Sequence, residues 1–112
     1  MPTINYGTLV WQTASVRKMV AGWASVTLWH RGLINAALDA LDGALKPLAR
    51  LAYSVQVTPT RIREIFSLVA TLSQRVHQAG VVETRDRVRA LTVLSKMKKT
   101  LMANIQLDFF VA

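Results

Sequence analysis

Apolar residues recur every three or four positions along nearly the whole chain, and this period is typical of amphipathic helices. Residues that interrupt helices are sparse, since the 112 residues include only five glycines and three prolines. No low-complexity stretch, linker or repeat divides the pattern. The sequence therefore predicts an all-α fold: a single helical domain over residues 1–112, built as a small bundle of about four amphipathic helices with short turns.

Four segments carry the helical period. The predicted helices cover residues 8–31, 33–53, 59–79 and 84–105, with turns near Gly32, residues 54–58 and Gly80. The sharpest boundary is Thr58-Pro59, because a threonine side chain can cap a helix and proline suits its first position. Pro47 lies inside the second segment, but the apolar stripe keeps its phase across it. A kink is therefore expected there rather than a break.

Each predicted helix presents one apolar stripe that we expect to be buried. The stripes are Leu9, Val16, Met19, Val20, Trp23 and Val26 in the first helix, Leu33, Ala37, Leu41, Ala44, Leu45, Leu48 and Leu51 in the second, Ile62, Ile65, Phe66, Val69, Leu72 and Val76 in the third, and Val88, Leu91, Leu94, Met97, Leu101 and Ile105 in the fourth.

Both ends of the chain are also apolar, which makes residues 1–7 and 107–112 candidate terminal arms. Thr3, Thr8 and Val10 among the first eleven residues also suit an extended segment. Each arm either folds back on its own core or adds to a neighbouring subunit. On the second alternative, Phe109 and Phe110 belong to an oligomer interface.

Motifs that carry catalysis are missing from the sequence. The absence of cysteine excludes disulfides, thiolate metal sites and a cysteine nucleophile. No glycine-rich phosphate loop occurs, and two histidines far apart make a weak zinc site. Asp39 and Asp42 share the polar side of the second predicted helix beside Lys46, so we interpret them as part of a solvated face. We therefore predict that the protein is not an enzyme and binds no cofactor and no metal ion.

The charge distribution is the clearest functional signal, because the chain has a formal charge of +8. Nine of the fourteen lysines and arginines fall in residues 57–112. At about 100° per residue, Arg85, Arg89, Lys96 and Lys99 form one stripe on the last predicted helix. Such a stripe suits a nucleic-acid backbone, while the absence of interleaved aromatics argues against base stacking. The alternative is a solvated face on a basic protein.

Other residues suggest contact between subunits. Arg87 and Lys98 project toward the apolar side of the last predicted helix, where an unpaired charge is costly. We therefore expect acids from a neighbouring subunit to pair with them.

Trp11 and Trp29 project to a different side from Trp23, so the first predicted helix is apolar on two sides. A helix of that kind is either buried or shared between subunits.

No secretory signal or membrane span is expected, since Arg17 and Lys18 follow the uncharged start and every window of 18 residues contains a charge. This favours an intracellular (cytoplasmic) or virion protein without integral membrane insertion.

The leading hypothesis is a non-enzymatic, self-assembling structural protein, such as a coat or nucleoprotein subunit that contacts nucleic-acid backbone. The alternatives are a small adaptor or inhibitor that binds an acidic protein, and a peripheral membrane-surface protein.

Overall fold

The computed structural model describes residues 4–50 and 57–111, with side chains described up to residue 105. Within these residues the chain forms four helices and no strand. The helices are α1 (Tyr6–Ala21), α2 (Leu28–Ala49), α3 (Pro59–His77) and α4 (Thr84–Val111). The prediction of a small all-α bundle of four helices is confirmed.

The four helices pack as a ring in chain order. α1 packs against α2 and α4, and α3 packs against the same two helices. Among the described residues, no Cα atoms of the diagonal pairs come within 8 Å of each other. Arg75 Nη1, near the end of α3, donates to the Leu33 carbonyl near the start of α2 at 2.6 Å. Consecutive helices therefore run antiparallel, as expected where short connections join neighbours in a bundle.

Polar caps mark where three of the helices begin. The side chains of Asn5, Thr27 and Thr58 each accept a hydrogen bond from a backbone N–H three residues later, which stabilises a helix start. The predicted boundary at Thr58-Pro59 is confirmed, with Pro59 in the first turn of α3. Gly80 follows α3 with φ +78°, a left-handed conformation that favours glycine, so the turn predicted there is also confirmed.

The first connection differs from the prediction. Residues 8–31 do not form one helix, because α1 ends at Ala21 and α2 begins at Leu28. Gly32 lies inside α2, so the predicted turn there is wrong. Trp23 and Val26 lie in the connection between α1 and α2, and both are buried in the core. Their spacing continues the apolar period of α1 although the helix has ended, which is why the sequence suggested a longer helix.

Arg31 holds this first connection in place. Its Nη1 donates to the Val20 carbonyl at 3.1 Å, and its Nη2 donates to the Trp23 carbonyl. These carbonyls belong to the end of α1 and to the connection, where backbone acceptors lack a helical partner. A cation is also favoured at the negative end of the helix dipole. Arg31 therefore joins the start of α2 to the end of α1.

The core follows the predicted stripes with exceptions in three helices. Val88, expected in the core, is 53% exposed because it lies more than 100° around α4 from the fully buried Leu94 and Leu101. In α2, Ile34 and Leu38 are fully buried although they were not expected to be. In α1, Thr13 is buried too, and its hydroxyl donates to the Leu9 carbonyl at 2.8 Å. That hydrogen bond satisfies a polar group inside the core.

Pro47 lies in the last turn of α2, which continues two residues beyond it to Ala49. The second helix was expected to reach residue 53, but residues 51–53 lie outside the described part of the chain. A proline so close to a helix end disturbs little of the hydrogen-bond ladder. The helix is therefore unbroken at Pro47, as expected.

The second candidate arm belongs to α4 over residues 107–111, and the first overlaps the start of α1. α1 already begins at Tyr6, and both Ile4 and Tyr6 pack, half-buried, against the core. At the other end, α4 continues past residue 105 to Val111. The first end therefore follows the alternative in which an apolar end folds on its own core. Residues 1–3 and 112 lie outside the described part of the chain.

Candidate nucleic-acid interface

The outward face of α4 carries the four predicted cations, and all four are exposed. We call Arg85, Arg89, Lys96 and Lys99 the α4 basic surface. The opposite side of the helix holds Ala90, Leu94 and Leu101, which are fully buried. With a rise of about 1.5 Å per residue, the surface extends roughly 21 Å along the helix. Burial of one side of α4 therefore fixes the direction in which the other side presents its charges.

None of these four side chains makes a hydrogen bond or ion pair with the described residues. Several other arginines are held within the chain: Arg17 by two aspartates, Arg61 by Glu64, and Arg31, Arg75 and Arg87 by backbone carbonyls. The α4 basic surface therefore keeps its charges for solvent or for a ligand outside the described residues.

Thr92 lies within the α4 basic surface and is exposed. Its hydroxyl donates to the Val88 carbonyl at 2.7 Å, so its proton is directed back to its own helix. A hydroxyl held in this way is a poor donor to a base edge. The surface therefore offers positive charge and little that distinguishes one base from another.

Arg87 lies two residues from Arg85 and has a different role. Its Nη1 donates to the His77 carbonyl at 2.7 Å, and its Nη2 donates to the Gly80 carbonyl. Both acceptors lie at the end of α3 and in the turn before α4, where carbonyls lack helical partners. We expected Arg87 to need an acid from a neighbouring subunit, but its partners belong to its own chain. It closes the α3–α4 turn.

Replacing Arg87 by glutamine is expected to lower the free energy of unfolding by about 1–2 kcal/mol, because a charged donor to two carbonyls is lost. Replacing Arg85 by glutamine is the matched control, with an expected change within about 0.5 kcal/mol, since an exposed, unpaired side chain stabilises little. Urea denaturation of the two variants measures both values. Equal losses of stability in the two variants would contradict a structural role for Arg87 that Arg85 lacks.

The remaining predicted interface residues are placed differently from one another. Trp11 and Trp29 are 71% and 73% exposed, whereas Trp23 is buried. Lys98 is half-buried beside the core side of α4. Phe109 and Phe110 belong to α4, but their side chains lie outside the described part of the chain. The two exposed tryptophans are therefore available to contact another molecule.

Asp39 and Asp42 do not form the simple solvated face that we expected. One guanidinium nitrogen of Arg17 donates to Asp39 at 2.8 Å and to Asp42 at 2.9 Å, which joins α1 to α2. The hydrogen bond to Asp42 is the main cause that raises the pKa of Arg17 above its ordinary value, although burial lowers it. The spacing of the two aspartates places both on one side of α2, but Arg17 is identified as their partner only by the antiparallel packing.

The described histidines and acids form no cluster of three or more that could hold a metal ion. His30 lies at the start of α2, where its Nδ1 is 3.0 Å from the Thr27 hydroxyl oxygen. His77 is exposed as the last residue of α3. The chemistry that the described side chains support best is therefore electrostatic attraction of an anion by α4.

None of the helices in the described residues has the length and apolar character needed to cross a membrane. Comparison of the chain with protein-family models, with curated proteins and with solved structures found no match.

Proposed function

We propose that the protein is a non-enzymatic, self-assembling structural protein that binds nucleic-acid backbone through α4, as a coat or nucleoprotein subunit does. The observation that carries the proposal is the α4 basic surface: four exposed cations on one side of a helix, without partners among the described residues. Self-assembly is supported by the exposed Trp11 and Trp29.

Phosphate is the ligand chemistry that this surface suits. A duplex carries one phosphate about every 3.4 Å along each strand, so a row of cations roughly 21 Å long faces several phosphates. The charges are mounted on a helix whose other side is locked in the core, which keeps them together. Glu83 and Asp86 lie near Arg85 at the start of α4 but form no ion pair with the basic surface. Binding of this kind depends on charge and is nearly independent of base sequence.

A salt titration tests this function directly. Fluorescence anisotropy with two labelled duplexes of unrelated sequence is expected to give similar affinities, which fall as salt rises from about 50 to 200 mM. Four phosphate contacts predict a slope of about −3.6 in log affinity against log salt concentration. Absence of binding at about 150 mM salt, or strong preference for one duplex, would contradict backbone binding by α4.

A second candidate function, binding to an anionic membrane surface, rests on one end of the bundle. The start of α2 and the α3–α4 turn lie at the same end, because Arg75 links α3 to the start of α2. Four strongly exposed apolar side chains belong to this end: Leu28, Trp29, Val81 and Val88. Exposed apolar residues near cations such as Arg85 are typical of proteins that dock on lipid headgroups.

Vesicle flotation separates the two functions. On the membrane proposal, the protein floats with vesicles that contain anionic lipid and not with neutral ones, and replacing Leu28 and Val81 by serine prevents flotation. On the nucleic-acid proposal, those two substitutions leave DNA affinity unchanged, since neither residue lies on the α4 basic surface. Failure to float with anionic vesicles would contradict the membrane function alone.

A further inference from the structure

The four cations of the α4 basic surface are unevenly spaced along the helix. Arg85 and Arg89 lie one turn apart near the start of α4, and Lys96 and Lys99 lie about one turn apart further along. We call these the first and the second cation pair. At about 1.5 Å per residue, the centres of the two pairs are about 16 Å apart. Positive charge is therefore concentrated at the two ends of the surface.

The middle of the surface carries no charge. Between the two cation pairs, the exposed side chains of α4 are those of Thr92 and Ser95, which are short and neutral. The Thr92 hydroxyl already donates to the Val88 carbonyl, so it is a poor donor to a phosphate. A phosphate placed over the middle of α4 would therefore meet no cation directly beneath it.

The distance between the pairs is fixed by the helix that carries them. α4 runs from Thr84 to Val111 without an interruption and contains neither glycine nor proline, the residues that most often bend a helix. Its inner side is fully buried at Leu94, Met97 and Leu101, which lie between and just beyond the two pairs. The cation pairs are therefore held on a nearly straight rod.

One strand of a duplex suits this spacing poorly. A strand turns by about 35° at each nucleotide, so it curves away from any straight line laid along it. A straight helix on such a strand is nearest to it at the middle of the contact and farther from it at both ends. The phosphates would then lie closest to Thr92 and farthest from the two cation pairs.

A free single strand can follow a straight helix, but α4 lacks the side chains that single-strand binding uses. Proteins that bind single strands combine positive charge with aromatic side chains on which the bases stack. Residues 84–105 of α4 include no aromatic residue. The strongly exposed tryptophans, Trp11 and Trp29, belong to α1 and α2 instead. The α4 basic surface therefore suits a duplex better than a single strand.

The two strands that border a groove suit the spacing well. The major groove of B-form DNA is about 12 Å wide, and the phosphate groups on its edges add about 6 Å between their centres. The resulting distance of about 18 Å exceeds the separation of the cation pairs by about 2 Å, which long arginine and lysine side chains can span. Thr92 and Ser95 then lie over the open groove, where no phosphate needs a cation.

We propose that α4 lies across a groove of double-stranded nucleic acid, with the first cation pair on one strand and the second cation pair on the other. The inference rests on the backbone binding in the proposed function and deepens it, because it names a duplex as the ligand. A single strand or one edge of a groove engages only one pair at a time.

Fluorescence anisotropy with two versions of one short DNA duplex tests this arrangement. The first version is ordinary DNA. In the second, the half-neutral duplex, uncharged methylphosphonate linkages replace the phosphates of one strand. Each is titrated at about 50 mM salt with the wild-type protein and with two double variants, Arg85→Gln with Arg89→Gln and Lys96→Gln with Lys99→Gln. Comparison of proteins on the same duplex cancels the lower charge density of the half-neutral one.

On ordinary DNA, each double variant is expected to bind at least about 30-fold more weakly than wild type, because two of four phosphate contacts are lost. On the half-neutral duplex, each is expected to bind within about fivefold of wild type, since either pair can contact the one charged strand. Lys18→Gln with Lys46→Gln, which removes two exposed cations from α1 and α2, is the charge-matched control. It is expected to bind both duplexes within about fivefold of wild type. Circular dichroism checks that every variant keeps its helices.

The other outcomes separate failure of this arrangement from failure of the proposed function. A wild-type protein that keeps its 30-fold advantage on the half-neutral duplex has all four cations on one strand, which overturns the arrangement and leaves backbone binding standing. A loss on ordinary DNA confined to one double variant overturns it too, and so does failure of wild type to bind the half-neutral duplex. Failure of wild type to bind ordinary DNA overturns the proposed function itself.

Discussion

Replacing Arg85, Arg89, Lys96 and Lys99 together by glutamine is expected to remove most of the affinity for nucleic acid while the bundle stays folded. The four side chains are exposed and make no hydrogen bond or ion pair with the described residues, so their loss leaves the core unchanged. Each lost phosphate contact lowers the log–log salt slope by about 0.9, and four contacts together correspond to a loss on the order of 10³-fold near 0.1 M salt. Anisotropy titrations at several salt concentrations measure both quantities.

A variant on the opposite side of the bundle separates the position of the charges from their number. Replacing Lys18, Lys46 and Arg50 by glutamine removes three exposed cations from α1 and from the end of α2. Replacing Arg89, Lys96 and Lys99 removes the same number from α4. If binding occurs through the α4 basic surface, the second triple variant loses far more affinity than the first. Equal losses would mean that binding depends on net charge alone, with no role for α4 as a surface.

If the quadruple variant binds DNA as tightly as its parent, the α4 basic surface is a solvated face. An adaptor that binds an acidic protein would then account better for the charge of the chain. Circular dichroism of the same variant checks that its helices persist, because an unfolded basic chain also binds DNA through charge.

The sequence predicts the α4 basic surface correctly as a set of exposed cations because that prediction needs only local geometry. Once one side of a helix is buried through Leu94 and Leu101, the rotation per residue determines which residues face outward. The boundaries at Thr58-Pro59 and Gly80 are predictable for the same reason, since a cap and a left-handed glycine act within a few residues.

The connection between α1 and α2 was missed because the local cap at Thr27 lies inside a continuous apolar period and the other signals are tertiary. Trp23 and Val26 continue the apolar period of α1, and nothing in their spacing shows that they reach the core from outside a helix. Gly22 and Gly32 look equally suited to end a helix, yet Gly22 follows α1 and Gly32 lies within α2. Tertiary packing determines which glycine follows a helix, because Trp23 is buried and Arg31 donates hydrogen bonds to the Val20 and Trp23 carbonyls.

The partners of the half-buried arginines could not be predicted from the sequence either. The position of Arg87 on the apolar side of α4 predicted a partner, and the partner was expected on another subunit. The carbonyls that accept from Arg87 are those of His77 and Gly80, which come close only when α3 turns back into α4. A backbone carbonyl carries no residue-type signal, so neither composition nor spacing identifies it in advance.

Replacing Leu94 by alanine is expected to lower the free energy of unfolding by about 2–5 kcal/mol, because the substitution leaves a cavity at a fully buried position of α4. Val88→Ala is the matched control in the same helix. Val88 is more than half exposed, so its truncation removes little packing and the expected change is within about 0.5 kcal/mol. Urea denaturation followed by circular dichroism measures both. Since small domains are stable by only about 5–15 kcal/mol, the loss at Leu94 is a large fraction of the total.

Comparable losses of stability at the two positions would mean that Val88 is buried in solution, either in the core of its own chain or against a second copy. Measuring Val88→Ala at several protein concentrations distinguishes these two cases. Only burial between copies makes the loss of stability depend on protein concentration.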